Sequence, residues 1–458
     1  MNPDSPFAPT RRLVLMGAGA GLVAPGIFAT PLPASAQQPQ GAVIDITRAR
    51  TDPIPIAIPD LAGAGEGARV GRDIARVIQA NLRNSGLFRP VDRQAFIQTA
   101  EAAAQTPRFQ DWRVIGAQAL VTGRVLEQGG GLRVEFRLWD VLPETQLQGT
   151  AFTAPAAQWR RIAHMISDVI YERLLGEKGY FDTQVVYVSE TGPRDRRTRR
   201  LAIMDQDGEN NRFLTDGRFA ALTPRFHPTQ RRIAFMSYQD RGQPRVVLFD
   251  LDSGSQQVLG NFPGMTLSPR FSPDGRSVVL SATRGGDANI YIVDLGSRRE
   301  RQLTSGGGLD VSPCFSPDGS QIVFNSDRGG DQQLYVMDAG GGNVRRISFG
   351  RGRYATPVWS PRGDLIAFTR FGGGGGFAIG VMRPDGSGER ILSEGWQMEG
   401  PTFAPNGRVL MFYRETRSDS RGGGYSSRIV SIDIAGFNER PIPTPTDATD
   451  PAWSPLLS

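Results

Sequence analysis

The chain has 458 residues, a formal net charge of +6 and a single cysteine. One cysteine excludes a disulfide framework, and Cys314 reads as a small buried hydrophobe. The basic residues are arginines except for Lys178, and no dense basic run with interleaved aromatics occurs, so no nucleic-acid partner is expected.

Residues 1–36 read as an export leader. Arg11 and Arg12 form the basic region, Leu13 to Phe28 the apolar core, and Ala34-Ser35-Ala36 a small-residue cleavage site, so the mature chain is expected to begin at Gln37, after Ala36. Thr10 to Leu15 resembles a twin-arginine signal with Val14 in place of the usual Phe, and the general secretory route stays open. No later segment has the length to span a bilayer, which predicts a soluble, exported protein.

From 37 to 180 the pattern predicts a compact α/β domain. Ile54-Pro55-Ile56-Ala57-Ile58 is an apolar strand. Val70, Ile74, Val77, Ile78 and Leu82 recur at helical spacing, with Gly86 placed to end that helix. Ala119–Leu126 and Leu132–Asp140, separated by three glycines, predict a hairpin whose second strand turns Leu132, Val134, Phe136 and Leu138 to one side. Leu147 to Thr153 adds a further strand. Trp159, Ile162, Ile166, Val169, Ile170 and Leu174 stripe a last helix, with His164 off the stripe and expected at the surface.

Gly63-Ala64-Gly65-Glu66-Gly67-Ala68 follows a strand, opens a helix and matches G-x-G-x-x-A, a pattern that lets pyrophosphate approach a helix N-terminus. Against it, Glu66 puts a negative charge in the loop, Asp92 arrives late for the ribose, and the domain is small. No cofactor is expected.

From 181 to 458 one phrase recurs: PRFHPTQ from Pro224, PRFSPDG from Pro269, PCFSPDG from Pro313, PVWSPRG from Pro357, PTFAPNG from Pro401 and PAWSP from Pro451. Its aromatic residues, Phe226, Phe271, Phe315, Trp359, Phe403 and Trp453, are spaced by 45, 44, 44, 44 and 50. That period, holding four short strands per unit, predicts propeller blades. Gln184–Val188, Arg200–Met204 and Arg212–Thr215 are second, third and fourth strands with no first; Pro451–Pro455 is a first strand with nothing after it. The tail therefore completes the opening blade, giving an all-β six-bladed β-propeller preceded by the small α/β domain. Asp205, Asp250, Asp294, Asp338 and Asp433 end the third strands and read as turn residues, and Arg241, Arg284 and Arg328 form a similar structural column.

An active site is hard to find. There are two histidines, His164 and His227, and the second occupies a slot that is Ser272, Ser316 and Ser360 elsewhere. No G-x-S-x-G elbow and no H-E-x-x-H occurs, so neither a catalytic triad nor a metal is expected. A carboxylate-based site stays open, which leaves a periplasmic hydrolase or lyase at the propeller mouth as the alternative to a binding scaffold.

The phrases S-P-D-G at Ser272 and Ser316, S-D-R-G-G at Ser326 and L-Y-V-M-D at Leu334 resemble TolB-type repeats. So do Leu82-Arg83-Asn84-Ser85-Gly86-Leu87-Phe88, the strand Pro53–Ala57, Ser167-Asp168 through Gly176–Gly179 and the closing Pro451–Pro455, in the same order over essentially the whole mature chain. The resemblance implies a non-enzymatic, periplasmic, monomeric subunit of the Tol-Pal envelope system, supporting outer-membrane integrity and constriction at division. It implies binding of the lipoprotein Pal at the propeller, which makes the protein peripheral to the outer membrane, and of TolA at the mature N-terminus. Carried over by position, Gly41, Ala42, Val43, Ile44, Asp45 and Ile46 would be a switchable TolA-binding strand. Met265, Ser268, Val311 and Ser312 would face Pal at the ring mouth, although a polar residue is expected near Met265.

Overall fold

The computed structural model describes Phe28–Pro31 and residues 52–457 other than 194–195, 241, 261, 263 and 418–423. Ala36, Gln37, the segment 41–46 and Arg241 lie outside the described residues.

The N-terminal part is a six-stranded sheet covered on both faces. Its strands are β1 (Phe28–Pro31), β2 (Ile54–Ala57), β3 (Phe88–Pro90), β4 (Ala119–Gln128), β5 (Gly131–Asp140) and β6 (Thr145–Pro155), in spatial order β1-β6-β5-β4-β2-β3. β4, β5 and β6 form an antiparallel meander, while β2 runs parallel to β3 and β4. β1 adds to the outer edge of β6, with Phe28 opposite Thr153 and Pro31 opposite Thr150.

Helix α1 (Glu66–Asn84) buries Val70, Ile74, Val77, Ile78 and Leu82, and Gly86 at φ 74° closes it as the pattern required. Two short helices, α2 (Ala100–Gln105) and α3 (Phe109–Val114), bring Ala103 and Trp112 against Ala57, Leu120 and Val141 in a separate small core. Helix α4 (Trp159–Leu175) packs beside α1 and ends at Gly176, φ 73°. The expected hairpin and the strand after it are present, and Val134, Phe136 and Leu138 are buried. On the opposite side of β5, Glu135 is also buried, because Arg124 and Arg133 hold its carboxylate at 2.7 and 3.0 Å.

The glycines after β2 have a packing role. A Cβ on Gly63 would meet the Gly67 carbonyl carbon at 2.7 Å, and one on Gly71 would meet Leu61 O at 2.1 Å. The loop is closed down on its own helix.

The rest of the chain is six four-stranded sheets. The first is assembled in the order Asp447–Trp453, Gln184–Thr191, Thr198–Asp205, Arg212–Phe213, so the last strand pairs antiparallel with the opening one, Trp453 opposite Val185. Ring closure by the tail is thus as expected. The recurrent aspartates are turn residues: Asp250 accepts from the Ser253 amide at 2.9 Å, Asp294 from Ser297 at 2.7 Å and Asp433 from Phe437 at 2.8 Å. Arg284 and Arg328 lie over Tyr291 and Tyr335 and pair with Glu300 and Asp310, so they lock adjacent strands.

Ring and α/β part share one core. Ile162, Ile166, Ile170, Tyr171 and Leu175 of α4 belong to the same buried cluster as Val185, Met204, Met411, Ile429, Ile442 and Trp453 of the propeller. Around that cluster Arg161 pairs with Asp182 at 3.0 Å, Arg362 and Arg408 both pair with Glu177, and Asn406 donates to Lys178 O at 3.1 Å. The α/β part therefore sits on the face carrying the turns between first and second strands.

Candidate functional site

Each innermost strand carries the same defect. Register shifts fall between Leu222 and Arg225, Leu267 and Arg270, Val311 and Cys314, Ala355 and Val358, Glu399 and Thr402, and Thr449 and Ala452. In every case the residue before the proline is left-handed: Thr223 (φ 47°), Ser268 (50°), Ser312 (56°), Thr356 (46°), Gly400 (69°) and Asp450 (48°). Proline has no N–H for the ladder, and a bulge placed there bends the strand. Six such bulges pinch the central channel to a cavity of about 50 Å³.

Below the pinch, on the side of the α/β part, the channel widens to about 330 Å³ between Phe271, Phe315, Trp359 and Trp453. Arg225 and Arg270, from the second slot of two phrases, lie where the two spaces meet. Glu399 and Asp450 border the pinch. Burial, then the nearby Arg270 charge, pushes Arg225 down to about 9, and burial lowers Arg270 as well. Burial, then the charge of Asp450, pushes Glu399 up to about 7; Asp450 itself is raised by burial.

The opposite face carries the connections from each fourth strand to the next first strand. Five of these present a large exposed apolar side chain: Phe219 at 43%, Met265 at 45%, Leu309 at 41%, Phe349 at 71% and Trp396 at 39%. Scattered singly such residues mean little, but their recurrence in the same connection of five blades gives this face a collar of exposed apolar side chains. Trp396 stacks on Tyr425 at 5.0 Å between centroids, and the Arg417 guanidinium lies 4.9 Å from its ring.

Of the four residues expected at the mouth, Met265 stands in this collar. Val311 begins an inner strand, half-buried, while Ser268 and Ser312 are two of the six pinch residues inside the channel. The four are thus divided between collar and pinch.

His164 is a correction: it is 2% exposed, not a surface residue. It lies off the stripe because it faces the propeller. Asn81 Nδ2 donates to His164 Nδ1 at 2.9 Å and to Ser167 Oγ at 3.0 Å, while Gln206 Nε2 donates to Asn81 Oδ1 at 3.1 Å. That network leaves the proton on Nε2, 3.8 Å from both Asp205 Oδ2 and Asp207 Oδ2. The three side chains could ring a metal by distance. The donor set does not fit one: Nε2 carries a hydrogen, and the Arg160 guanidinium already pairs with Asp207 at 2.5 Å.

His227 is set by the repeat, as expected. Its Nδ1 accepts from the Thr229 and Gln230 amides at 3.2 and 2.9 Å, so Nε2 donates to Gly275 O at 3.1 Å and ties its blade to the next. Burial lowers its pKa.

A family model described as the TolB amino-terminal domain matches residues 42–147, and one described as the TolB beta propeller domain matches residues 171–457. The chain belongs to the TolB family. It is 56% identical over 451 residues to the Tol-Pal system protein TolB of Gluconobacter oxydans (strain 621H), covering 97% of this chain and 96% of that one. It is 58% identical over 449 residues to that of Paramagnetospirillum magneticum (strain ATCC 700264 / AMB-1), covering 97% and 99%. The crystal structure of TolB from Acinetobacter baumannii superposes with a TM-score of 0.77 at 27% identity, covering 94% of this chain and all of that one.

TolB of the Tol-Pal system is a non-enzymatic envelope protein, and the reading as a hydrolase or lyase at the propeller mouth falls with that. No helix among the described residues is long and apolar enough to cross a membrane. For this TolB chain the informative residues that sequence reasoning passed over are Arg225, Arg270, Glu399, Asp450 and the collar. The arginines were visible as the odd occupants of a slot filled by Cys314, Val358, Thr402 and Ala452 in the other blades.

Proposed function

We propose that the mature protein begins at Gln37 after removal of a leader, works in the periplasm, and binds Pal through the propeller and TolA through Gly41–Ile46. In that role it supports outer-membrane integrity and constriction at division. The observation that carries the Pal half is the apolar collar of Phe219, Met265, Leu309, Phe349 and Trp396, on the face left free by the α/β part. Interfaces draw most of their energy from a few such anchors.

The TolA half rests on the family resemblance. The outer edge of β6, which takes Phe28–Pro31 in the full chain, would be open once the leader is gone and could seat an extended segment from the new N-terminus. Seating and release of 41–46 would then bias the affinity for Pal, and the bias must be reciprocal, typically about 1–3 kcal/mol.

The test is a titration of the mature protein with the soluble part of Pal. Met265→Asp is expected to weaken binding about tenfold or more, since a charge would be buried without a partner. Deleting residues 37–46 should abolish TolA capture and shift the Pal titration. An unchanged Pal titration in the deletion removes the coupling; no Pal binding by the intact protein removes the reading itself.

A further inference from the structure

We infer that the wide part of the propeller channel, at the junction of Arg225 and Arg270, is a binding site for a small oxyanion, a carboxylate or a phosphate. This site lies on the side of the α/β part, away from the collar, and is independent of any protein partner.

The charges argue for it. Two guanidinium groups border one cavity of about 330 Å³, and among the described residues neither forms an ion pair with a carboxylate. The hydrogen bond assigned to Arg225 goes to Pro224 O at 2.6 Å, a neutral acceptor from its own strand. Asp450, across the pinch and beyond ion-pair distance, offsets the Arg225 charge in part, and no carboxylate among the described residues does so for Arg270. Two neighbouring guanidinium groups with so little counter-charge repel one another, and an oxyanion between them accepts from both in the planar, bidentate manner they favour.

The walls set the size and kind of ligand. Phe271, Phe315, Trp359 and Trp453 line the cavity with apolar surface. The hydroxyls of Ser272 and Ser316 are turned away into their own turns, donating to Asp274 and Asp318. Specificity therefore resides in charge and cavity size, and a compact anion, alone or with a short apolar body, fits where a polymer does not.

The experiment measures thermal unfolding of the mature protein with sodium phosphate, sodium acetate or sodium chloride at matched ionic strength. A ligand of the folded state raises the midpoint in a saturable way. The expected result is a saturable rise with phosphate or acetate beyond that with chloride, reduced about tenfold in apparent affinity by Arg270→Gln and lost in Arg225→Gln/Arg270→Gln. Arg270→Lys, which keeps the charge, should retain a weaker response. Without anion, Arg270→Gln is expected to unfold at the same temperature as the wild type or higher, because repulsion is relieved; this single change keeps the test valid if the double variant does not fold. An equal rise in Arg270→Gln and wild type, or no rise beyond chloride, overturns the proposal.

Discussion

The indole Nε1 of Trp453 donates to Thr183 Oγ1 at 2.8 Å across 270 positions of sequence. Trp453 also packs edge-on against Tyr180 at 5.7 Å, so one side chain joins the last strand, the first blade and the segment leaving α4. Trp453→Phe removes the hydrogen bond and leaves Thr183 buried without its donor, an expected cost of about 1–2 kcal/mol. Trp453→Ala adds a cavity and is expected to cost about 3–5 kcal/mol. Urea denaturation followed by circular dichroism separates the two.

Asp168 governs the passage from helix to ring. Its carboxylate accepts from the Phe181 and Asp182 amides at 2.7 and 2.8 Å, and Gly179 lies flat against it. A Cβ on Gly179 would fall 2.7 Å from Asp168 Cα and 2.1 Å from Oδ1. Gly179→Ala is therefore expected to destabilise the protein by about 2 kcal/mol or more, and Asp168→Ala by about 2–4 kcal/mol through two orphaned amides. Denaturant midpoints check both, and a Gly179→Ala variant as stable as the wild type would contradict the contact.

Glu399 makes stability depend on pH. Its pKa is raised from 4.5 to about 7 in the folded protein by burial and by Asp450, so the folded state keeps a proton that the unfolded state gives up. The contribution is fully present below pH 4.5 and is lost as pH rises through about 7. The free energy of unfolding should fall across that window by an amount on the order of 1–3 kcal/mol, read as a lower thermal midpoint, and Glu399→Gln should flatten the fall. Were the slope the same in the glutamine variant, other groups would be responsible.

Glu177 holds Arg408 and Arg362 where α4 meets the ring. Removing one partner of a half-buried pair leaves the other charge unsatisfied, so Glu177→Ala is expected to cost about 1–3 kcal/mol. A double-mutant cycle with Arg408→Ala should return a coupling of about 1 kcal/mol or more, against near zero for a solvated pair.

The blades were legible because the repeat states one packing problem six times. Pro317, Asp318 and Gly319 mark a turn, as their counterparts do in other blades, and the missing first strand before Gln184 announced where the tail had to go. The hairpin of β4 and β5 and the helices α1 and α4 followed from apolar period alone. His164 was misread for a physical reason: a helix has more than one buried side, and the second, against the propeller, is polar. Periodicity sees only the apolar stripe, so the Asn81–His164–Ser167 network was invisible. The collar escaped because Phe219, Phe349 and Trp396 fall in segments of unequal length, where no fixed offset from the proline picks them out. The left-handed bulges escaped because a residue before proline ordinarily prefers extended backbone.

Pairing of Trp453 with Val185 has a consequence for the order of assembly. Until Asp447–Trp453 has been made and is free to move, Gln184–Thr191 is a bare apolar edge, and five finished sheets form an open crescent. The longest loop in the molecule must close last, after every local contact is already in place. A chain halted before that strand would expose the edge to its own copies, so the hazard of self-association during synthesis ends only when the seam is sealed.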